Sequence, residues 1–365
     1  MRPPSRRPAA TALGILAVAV TAIGTARPAG VAHALAADPP AAAPARAPRL
    51  LSETGLYGPD GGVDPRNLPF SPQYPLWTDG AAKSRWIRLP EGSSIDVSDV
   101  DAWRFPVGTK LWKEFRFAGR RVETRMIWKA GPDEWVFATY VWAEDGSDAT
   151  LAPDDGVPDV VEVAPGKRHS IPGVEDCATC HRSSPAVVLG FNALQLSDDR
   201  DPLAPHAEPL PPGAATLSSL VASHRLEPSR PDLVANPPRI RASDPTERAA
   251  LGYLSANCGG CHNATGPLAR LGLVLLHDSG GSPDAPEPAV ATAVDSAGRY
   301  VVPGLPEGAS RVVAAGDPAR SALLHRMRSR RPSSQMPPLG TRVVDEEAVA
   351  LLSRWIARRD APAAR

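Results

Sequence analysis

The sequence has little net charge, few cysteines and only a short N-terminal apolar run. These three shortages argue against nucleic-acid binding, further cysteine sites and a membrane span, respectively. Its 365 residues include 40 Lys and Arg against 40 Asp and Glu, a balance that argues against nucleic-acid binding. The apolar run, at about residues 11–23, is too short and too rich in Ala and Gly to be a convincing membrane span. All four cysteines lie in two short motifs, so none remains for a role elsewhere.

Both cysteine motifs have the form C-x-x-C-H. They occupy residues 177–181 (Cys-Ala-Thr-Cys-His) and 258–262 (Cys-Gly-Gly-Cys-His), a pattern typical of c-type haem attachment. Two thiols three positions apart can form thioethers with the vinyl groups of a porphyrin, and the adjacent His can bind the iron. The sequence therefore predicts two haem c groups, attached at Cys177, Cys180, Cys258 and Cys261 and ligated by His181 and His262.

Two other uses of paired cysteines compete with haem attachment. A structural zinc site also uses two C-x-x-C pairs, but such pairs are usually separated by roughly 15–20 residues, whereas Cys258 follows Cys180 by 78 positions. A disulfide within each pair would not require the following His, which both motifs contain. Haem attachment accounts for both the wide separation of the two cysteine pairs and the His that follows each pair.

The N-terminus has the three regions of a secretory signal peptide. Arg2, Arg6 and Arg7 precede the apolar run, and small residues follow it up to position 36. We expect residues 1–36 to be removed and the protein to be exported, either periplasmic or secreted, with an uncleaved anchor as the alternative. Export agrees with the attachment of c-type haem outside the cytoplasm. The removed segment contains four Arg and no acidic residue, which leaves a formal charge of −4.

A linker and a β-rich region follow the signal peptide. Residues 37–49 are rich in Ala and Pro and predict a tether. Within residues 50–170, apolar and polar side chains alternate at 122–129, and 135–142 are apolar at nearly every position, as expected of strands. Ala118-Gly119 and residues 131–133 predict turns between these runs. Seven of the eight Trp lie between positions 77 and 142. Packing in a two-sheet core explains them better than an aromatic sugar-binding surface does, so a β-sandwich-like domain is predicted.

The first C-x-x-C-H motif lies in a short haem-binding segment, residues 171–201, that is too small to enclose a haem alone. We expect the β domain and a Pro-rich connection at residues 202–239 to supply walls, and a short helix could cover residues 187–196. The sequence does not assign the sixth iron ligand of this haem. The position is either open or filled by one of four side chains, which are His169, His206, His224 and Met126.

Residues 240–360 predict an all-α class I cytochrome c domain. Asp244 and Pro245 form a favourable helix start, with an acid at the N-cap and Pro at the first helical position. Two further helices are expected from about residues 317 and 345. Met336 stands in a Pro-rich loop 74 residues after His262, and the prolines restrict that loop. We predict that Met336 is the sixth ligand of the second haem.

Further short motifs carry a family resemblance. In the C-terminal third they are Gly316-Asp317-Pro318, Ser321, Leu323, Met336-Pro337-Pro338, Gly340 and Trp355-Ile356, and this set resembles bacterial mono-haem cytochrome c domains. Others lie at residues 75–81, 83, 85–86, 103–109, 123–125, 189–191 and 195–196. With these, nearly all of the mature chain resembles a family of secreted bacterial dihaem c-type cytochromes. The resemblance implies two haems and names no substrate.

The expected fold class is α+β and multidomain, with a β-sandwich-like domain, a short haem-binding segment and an all-α cytochrome c domain. The expected function is a dihaem c-type cytochrome that transfers electrons between redox partner proteins outside the cytoplasm. If the first haem has an open sixth position, the protein would instead be a dihaem peroxidase-like enzyme. A second alternative is a haem-bearing accessory module that binds a carbohydrate or a surface polymer.

Overall fold

The computed structural model describes residues 45–360. The predicted signal peptide, residues 1–36, and most of the predicted linker therefore lie outside the described residues. The strands of the described part are β1 (Leu68–Pro69), β2 (Ala82–Arg88), β3 (Ile95–Asp96), β4 (Lys110–Phe117), β5 (Arg120–Lys129), β6 (Trp135–Trp142), β7 (Ala149–Leu151), β8 (Val157–Ala164), β9 (Lys167–Ile171) and β10 (Leu226–Glu227).

Six of these strands form one antiparallel sheet in the order β1-β2-β4-β5-β6-β7. Because side chains alternate between the faces of a strand, the sheet buries a different apolar cluster on each face. Trp112 and Met126, paired across β4 and β5, pack on one face with Leu51. On the other face, Leu111 packs with Phe191, which follows the first cysteine motif. Non-sheet segments thus cover both faces.

The β4–β5 hairpin turns at Ala118 and Gly119, as the sequence predicts. Their φ angles are 48° and 81°, and a two-residue hairpin loop with positive φ at both positions matches the right-handed twist of the strands. Gly119 adopts this backbone conformation without the steric cost of a Cβ atom. Beyond the turn, the register shifts by one residue at an irregularity between Phe115 and Arg116, and this shift places Lys113 of β4 opposite Arg125 of β5.

The helices of the described part lie mainly after the sheet. None of them is long and apolar enough to cross a membrane. They are α1 (Val174–His181), α2 (Leu217–Ala222), α3 (Asp232–Ala235), α4 (Pro245–Asn257), α5 (Pro288–Ala293), α6 (Ala322–Arg328) and α7 (Glu346–Arg358).

The two longest helices, α4 and α7, pack against each other. The Asp244 carboxylate accepts hydrogen bonds from the backbone N–H groups of Thr246 (2.7 Å) and Glu247 (3.1 Å), which confirms the predicted N-cap of α4. Across the interface, Trp355 Nε1 donates to Glu247 Oε1 at 3.2 Å. Leu352 of α7 is fully buried in the cluster that joins the two helices.

Tyr74, which precedes β2, belongs to the same cluster as α4. Its ring lies against Gly252, where an added Cβ would come within 2.1 Å of a ring carbon. The phenol is 2% exposed and donates a hydrogen bond to Asp201 at 3.0 Å. The N-terminal half of the chain therefore completes the core around α4.

The expected fold class is wrong in both halves. Within residues 45–360, the N-terminal part contains one six-stranded sheet with the small β3–β10 and β8–β9 pairs, and no two-sheet sandwich. The C-terminal part is not a separate all-α cytochrome c domain. Between α4 and α7 it has two short helices, 3₁₀ turns and isolated bridges such as Val294–Val313. The helix considered for residues 187–196 is also wrong, because these residues form bends and turns.

The physical reason for these errors is the same in each case. Periodicity reports that a strand or helix has a face to bury, and it does not report what covers that face. Here the segment after the first motif, including Phe191, covers one face of the sheet where a second sheet was expected. Tyr74 and Leu194, from outside residues 240–360, fill part of the helical core.

Candidate functional site

The first C-x-x-C-H motif forms the end of α1. The helix starts at Gly173, whose backbone N–H donates to the Asp176 carboxylate at 3.2 Å. Cys177 and Cys180 are three residues apart in this helix, so they are neighbours on one helical face. α1 packs on β6, where the ring centroid of Phe137 lies 5.3 Å from that of His181. The local structure thus presents both thiols on the same side.

The imidazole of His181 is arranged as a metal ligand requires. Its Nδ1 lies 2.6 Å from the carbonyl oxygen of Val187, and since a carbonyl can only accept, Nδ1 carries the proton. Nε2 is therefore left with its lone pair. Burial lowers the pKa of His181 to about 4, so the ring is neutral at physiological pH. A backbone carbonyl on the second nitrogen is the usual partner of a metal-binding His.

The second motif follows α4 directly. Cys258 caps the helix and packs against the α4–α7 cluster, where burial raises the pKa of its thiol to about 12. The backbone N–H of His262 donates to the Cys258 carbonyl at 2.9 Å. His262 Nδ1 is buried and has no hydrogen-bond partner. A buried imidazole nitrogen without a partner is costly, and this one belongs to the predicted iron ligand.

The structure brings the two motifs together. Contact with Cys180 lowers the pKa of Cys261 to about 7, and the same contact, with burial, raises the pKa of Cys180. Next to the second motif, Asn263 is 1% exposed and its Nδ2 donates to Ser183 O at 2.9 Å. The same amide reaches the Gly260 carbonyl at 3.0 Å. Asn263 therefore ties the second motif to the residues that follow the first.

One cavity of about 270 Å³ contacts both motifs. Cys177, Cys180, Cys261 and His181 line it. Residues from the sheet, from the turns after α1 and from the end of α4 supply the walls, as expected for a segment too small to enclose a haem alone. The apolar wall side chains include Leu111, Ile127, Phe137, Val188, Leu189 and Leu276.

These residues fit a covalently attached porphyrin. Thiols from α1, a neutral imidazole with a free Nε2 and apolar walls meet at one cavity, which is the donor set that c-type haem uses. The cavity volume is close to the ~300 Å³ lower end of small-molecule sites. At the second motif, His262 Nδ1 has no such oxygen partner, so the structure does not orient this ring in the way it orients His181.

The loop that carries Met336 lies beside the second motif. The backbone N–H of Met336 donates to the Arg326 carbonyl at 3.0 Å. Burial and the charge of Arg326 together lower the pKa of His262, so Arg326 neighbours both predicted ligands. Leu339 and Gly340 of the same loop line the cavity. Ligation of iron by Met336 stays a prediction.

Three of the four candidate sixth ligands of the first haem lie away from the cavity. Both ring nitrogens of His169 are occupied, Nδ1 by Asp79 at 3.0 Å and Nε2 by Glu123 at 3.1 Å. His206 Nε2 lies 2.9 Å from an oxygen of Asp345. His224 is exposed on the turn after α2. Met126 contributes to the cavity lining, but its side chain is 1% exposed and packs with Trp112 and Leu51 on the opposite face of the sheet.

Sequence reasoning missed His277, which also lines the cavity. Its Nδ1 lies 2.9 Å from the Glu287 carboxylate, and its backbone N–H donates to Ser255 Oγ at 3.0 Å. Nε2 has no protein partner among the described residues. The sequence does not show that this His is held by other side chains at a cavity, because the residues that it contacts are ten and twenty-two positions away along the chain.

The zinc alternative lacks a cluster of ligands in the described part of the chain. Across residues 45–360, no group of three or more His, Cys, Asp and Glu side chains is arranged to hold a metal ion. The tetrahedral coordination of structural zinc would require four such side chains at one point. All four cysteines are free thiols, so neither motif contains the disulfide considered as the other alternative.

Comparisons with protein-family models, curated proteins and solved structures gave no match. The function is therefore inferred from the chemistry of the site.

Proposed function

We propose that this protein is a dihaem c-type cytochrome that transfers electrons between redox partner proteins outside the cytoplasm. The observation that carries the proposal is the meeting of Cys177, Cys180 and Cys261 with His181 at one cavity. Bound haem would supply one-electron chemistry through its iron. Export, periplasmic or secreted, belongs to the same proposal, since c-type haem is attached outside the cytoplasm.

The residues of the first motif would attach and orient the haem. α1 presents its two thiols on one helical face, and Val187 O fixes the orientation of the His181 ring through Nδ1. Phe137 and Leu111 would exclude water from the porphyrin faces. We propose that His277, which lines the same cavity, would be a second imidazole ligand of this haem, because Glu287 holds its Nδ1 and leaves Nε2 available.

The second motif would hold its haem through Cys258 and Cys261, with His262 and Met336 as the iron ligands. The supporting observation is that Cys261 of this motif and Leu339 and Gly340 of the Met336 loop line the same cavity. A thioether ligand raises the reduction potential relative to a second imidazole. The site of His262 and Met336 would therefore supply the higher reduction potential of the two.

A dihaem peroxidase-like enzyme is the second candidate function. One observation favours it. Three of the four side chains that the sequence suggested as sixth ligands of the first haem lie away from the cavity. The first iron would then be open to a small molecule. The reduced holoprotein distinguishes the two functions. Carbon monoxide binding to one haem per chain, with spectral change on adding peroxide, would support the enzyme, and absence of both would support the electron carrier.

The first prediction tests haem attachment directly. The double variant Cys177→Ala/Cys180→Ala, produced in cells that attach c-type haem, should carry one covalent haem per chain where the unchanged protein carries two. Pyridine haemochrome spectra and intact mass after denaturation measure this number. Thr179→Ala, at the exposed position between the two cysteines, is the matched control and should retain both haems. An unchanged protein without covalent haem would refute the proposal.

A further inference from the structure

Three cations form a row across the sheet. Arg85 of β2 pairs with Lys113 of β4, and Lys113 pairs with Arg125 of β5. Directly paired residues on adjacent strands project from the same face, so the three side chains are neighbours. Like charges placed directly opposite each other destabilise a sheet. This row, called the cation row below, therefore needs anions to balance it.

The carboxylates within the protein balance the cation row only in part. Arg85 Nη1 bonds to Glu208 at 2.5 Å, while its Nη2 is buried without a partner and the side chain is 5% exposed. Arg125 is bonded to Glu123 through two nitrogens, at 3.0 and 2.6 Å. Among residues 45–360, Lys113 forms no ion pair, and its Nζ lies 5.0 Å from the centroid of the Phe115 ring.

All three members of the cation row line the cavity that contains Cys177, Cys180 and His181. Burial and the neighbouring cations, Arg85 first among them, lower the pKa of Lys113 well below its ordinary value. Two carboxylates also line the cavity, and both have other partners. Asp101 accepts from Ser279, and Asp176 accepts from the N-terminal turn of α1. The cavity thus has an apolar wall, a thiol edge and an unbalanced cationic patch.

We infer that the cation row binds the two propionate carboxylates of the haem attached at the first motif. This inference rests on the proposed function. Haem is an apolar macrocycle with two carboxylates away from its vinyl groups, and the cavity offers an environment for each part. Arg85 Nη2 is a buried donor without a protein acceptor, Lys113 forms no ion pair among residues 45–360, and charge-assisted hydrogen bonds to carboxylates are among the strongest in proteins. The β-sheet would thereby position the porphyrin that α1 attaches.

The test compares the midpoint potentials of the two haems in the holoprotein with those in three variants. Bound propionates would keep Lys113 protonated, so Lys113→Gln removes a positive charge beside the first haem, which favours its ferric form. We expect one potential to fall by about 59 mV, a tenfold change in the redox equilibrium, and the other to stay. Lys113→Arg keeps the charge and should keep both potentials. Lys110→Gln removes the same charge from the same strand, on the opposite face, and should change neither.

Haem content, measured first by pyridine haemochrome, separates the possible failures. If the unchanged protein has no covalent haem, the proposed function fails and this inference with it. If Lys113→Gln contains two haems with unchanged potentials, or if Lys110→Gln shifts them equally, the inference alone fails. Loss of one haem in Lys113→Gln with retention in Lys113→Arg supports it. Malonate added to the unchanged holoprotein tests whether the cation row is free to bind dissolved dicarboxylates. A spectral change with malonate that is absent in Lys113→Gln would show that the propionates do not occupy the row, and would overturn the inference.

Discussion

His181 and His277 share a hydrogen-bonding arrangement that sets them apart from His169. In both, Nδ1 contacts an oxygen, from Val187 in one case and Glu287 in the other, and the side chain lines the cavity. Metal-binding imidazoles are commonly oriented in this way. His169, in contrast, uses both nitrogens within a buried network, so it has no nitrogen left for a metal.

Replacement of His277 by Ala should open the first haem. We expect the reduced His277→Ala holoprotein to bind one carbon monoxide per chain, with high-spin features in its ferric spectrum, while the unchanged protein binds none. His325→Ala is the matched control, because His325 contacts Tyr300 at 2.8 Å and does not line the cavity. Carbon monoxide binding by the unchanged protein would exclude His277 as the ligand.

Replacement of Met336 by Ala should affect only the second haem. We expect the loss of the sulfur–iron charge-transfer band in the ferric spectrum and a lower value for one of the two midpoint potentials, because a thioether favours ferrous iron. Met327→Leu, in the α6 core, should retain both features. A redox titration of Met336→Ala that matches the unchanged protein would place the ligand elsewhere.

At the scale of elements, a buried polar network joins β5, β9 and the loop before α7. His169 on β9 bonds to Glu123 on β5 and to Asp79, and the Asp79 carboxylate also accepts the backbone N–H of Arg342 at 2.6 Å. Buried polar groups are stabilising when all members have partners. This network holds the loop that follows Met336 against the sheet.

The network predicts a loss of stability in acid. Burial alone would raise the pKa of Glu123, but Arg125 and His169 outweigh it and lower the pKa to about 2. The stabilisation is therefore present above the ordinary value of 4.5 and is lost as pH falls toward 2. We expect the free energy of unfolding to decrease by about 3 kcal/mol over this interval, measured by denaturant titration.

The Glu123→Gln variant should lose most of this pH dependence, because it removes the titrating group. Glu162→Gln, at an exposed position on β8, is the matched control and should keep the acid slope of the unchanged protein. Equal acid slopes in Glu123→Gln and the unchanged protein would show that other carboxylates cause the loss.

At the scale of the whole molecule, local signals in the sequence predicted local structure well. The Asp244 N-cap and the Ala118-Gly119 turn depend on residues within three positions of each other, and the sequence predicted both. The contact between Cys180 and Cys261 and the row from Arg85 to Arg125 depend on long-range packing and strand register. A single sequence contains no signal for either, and the same limit led to the wrong fold class.

The packing of Tyr74 against Gly252 has a consequence for modularity. The second motif has the sequence features of a self-contained cytochrome unit, yet the helix that leads into it is sealed by an aromatic ring from the other half of the chain. A fragment beginning after the Pro-rich connection would leave a hole the size of a tyrosine on α4. The C-terminal half is therefore not expected to fold as an independent unit when it is expressed without the segment that carries Tyr74.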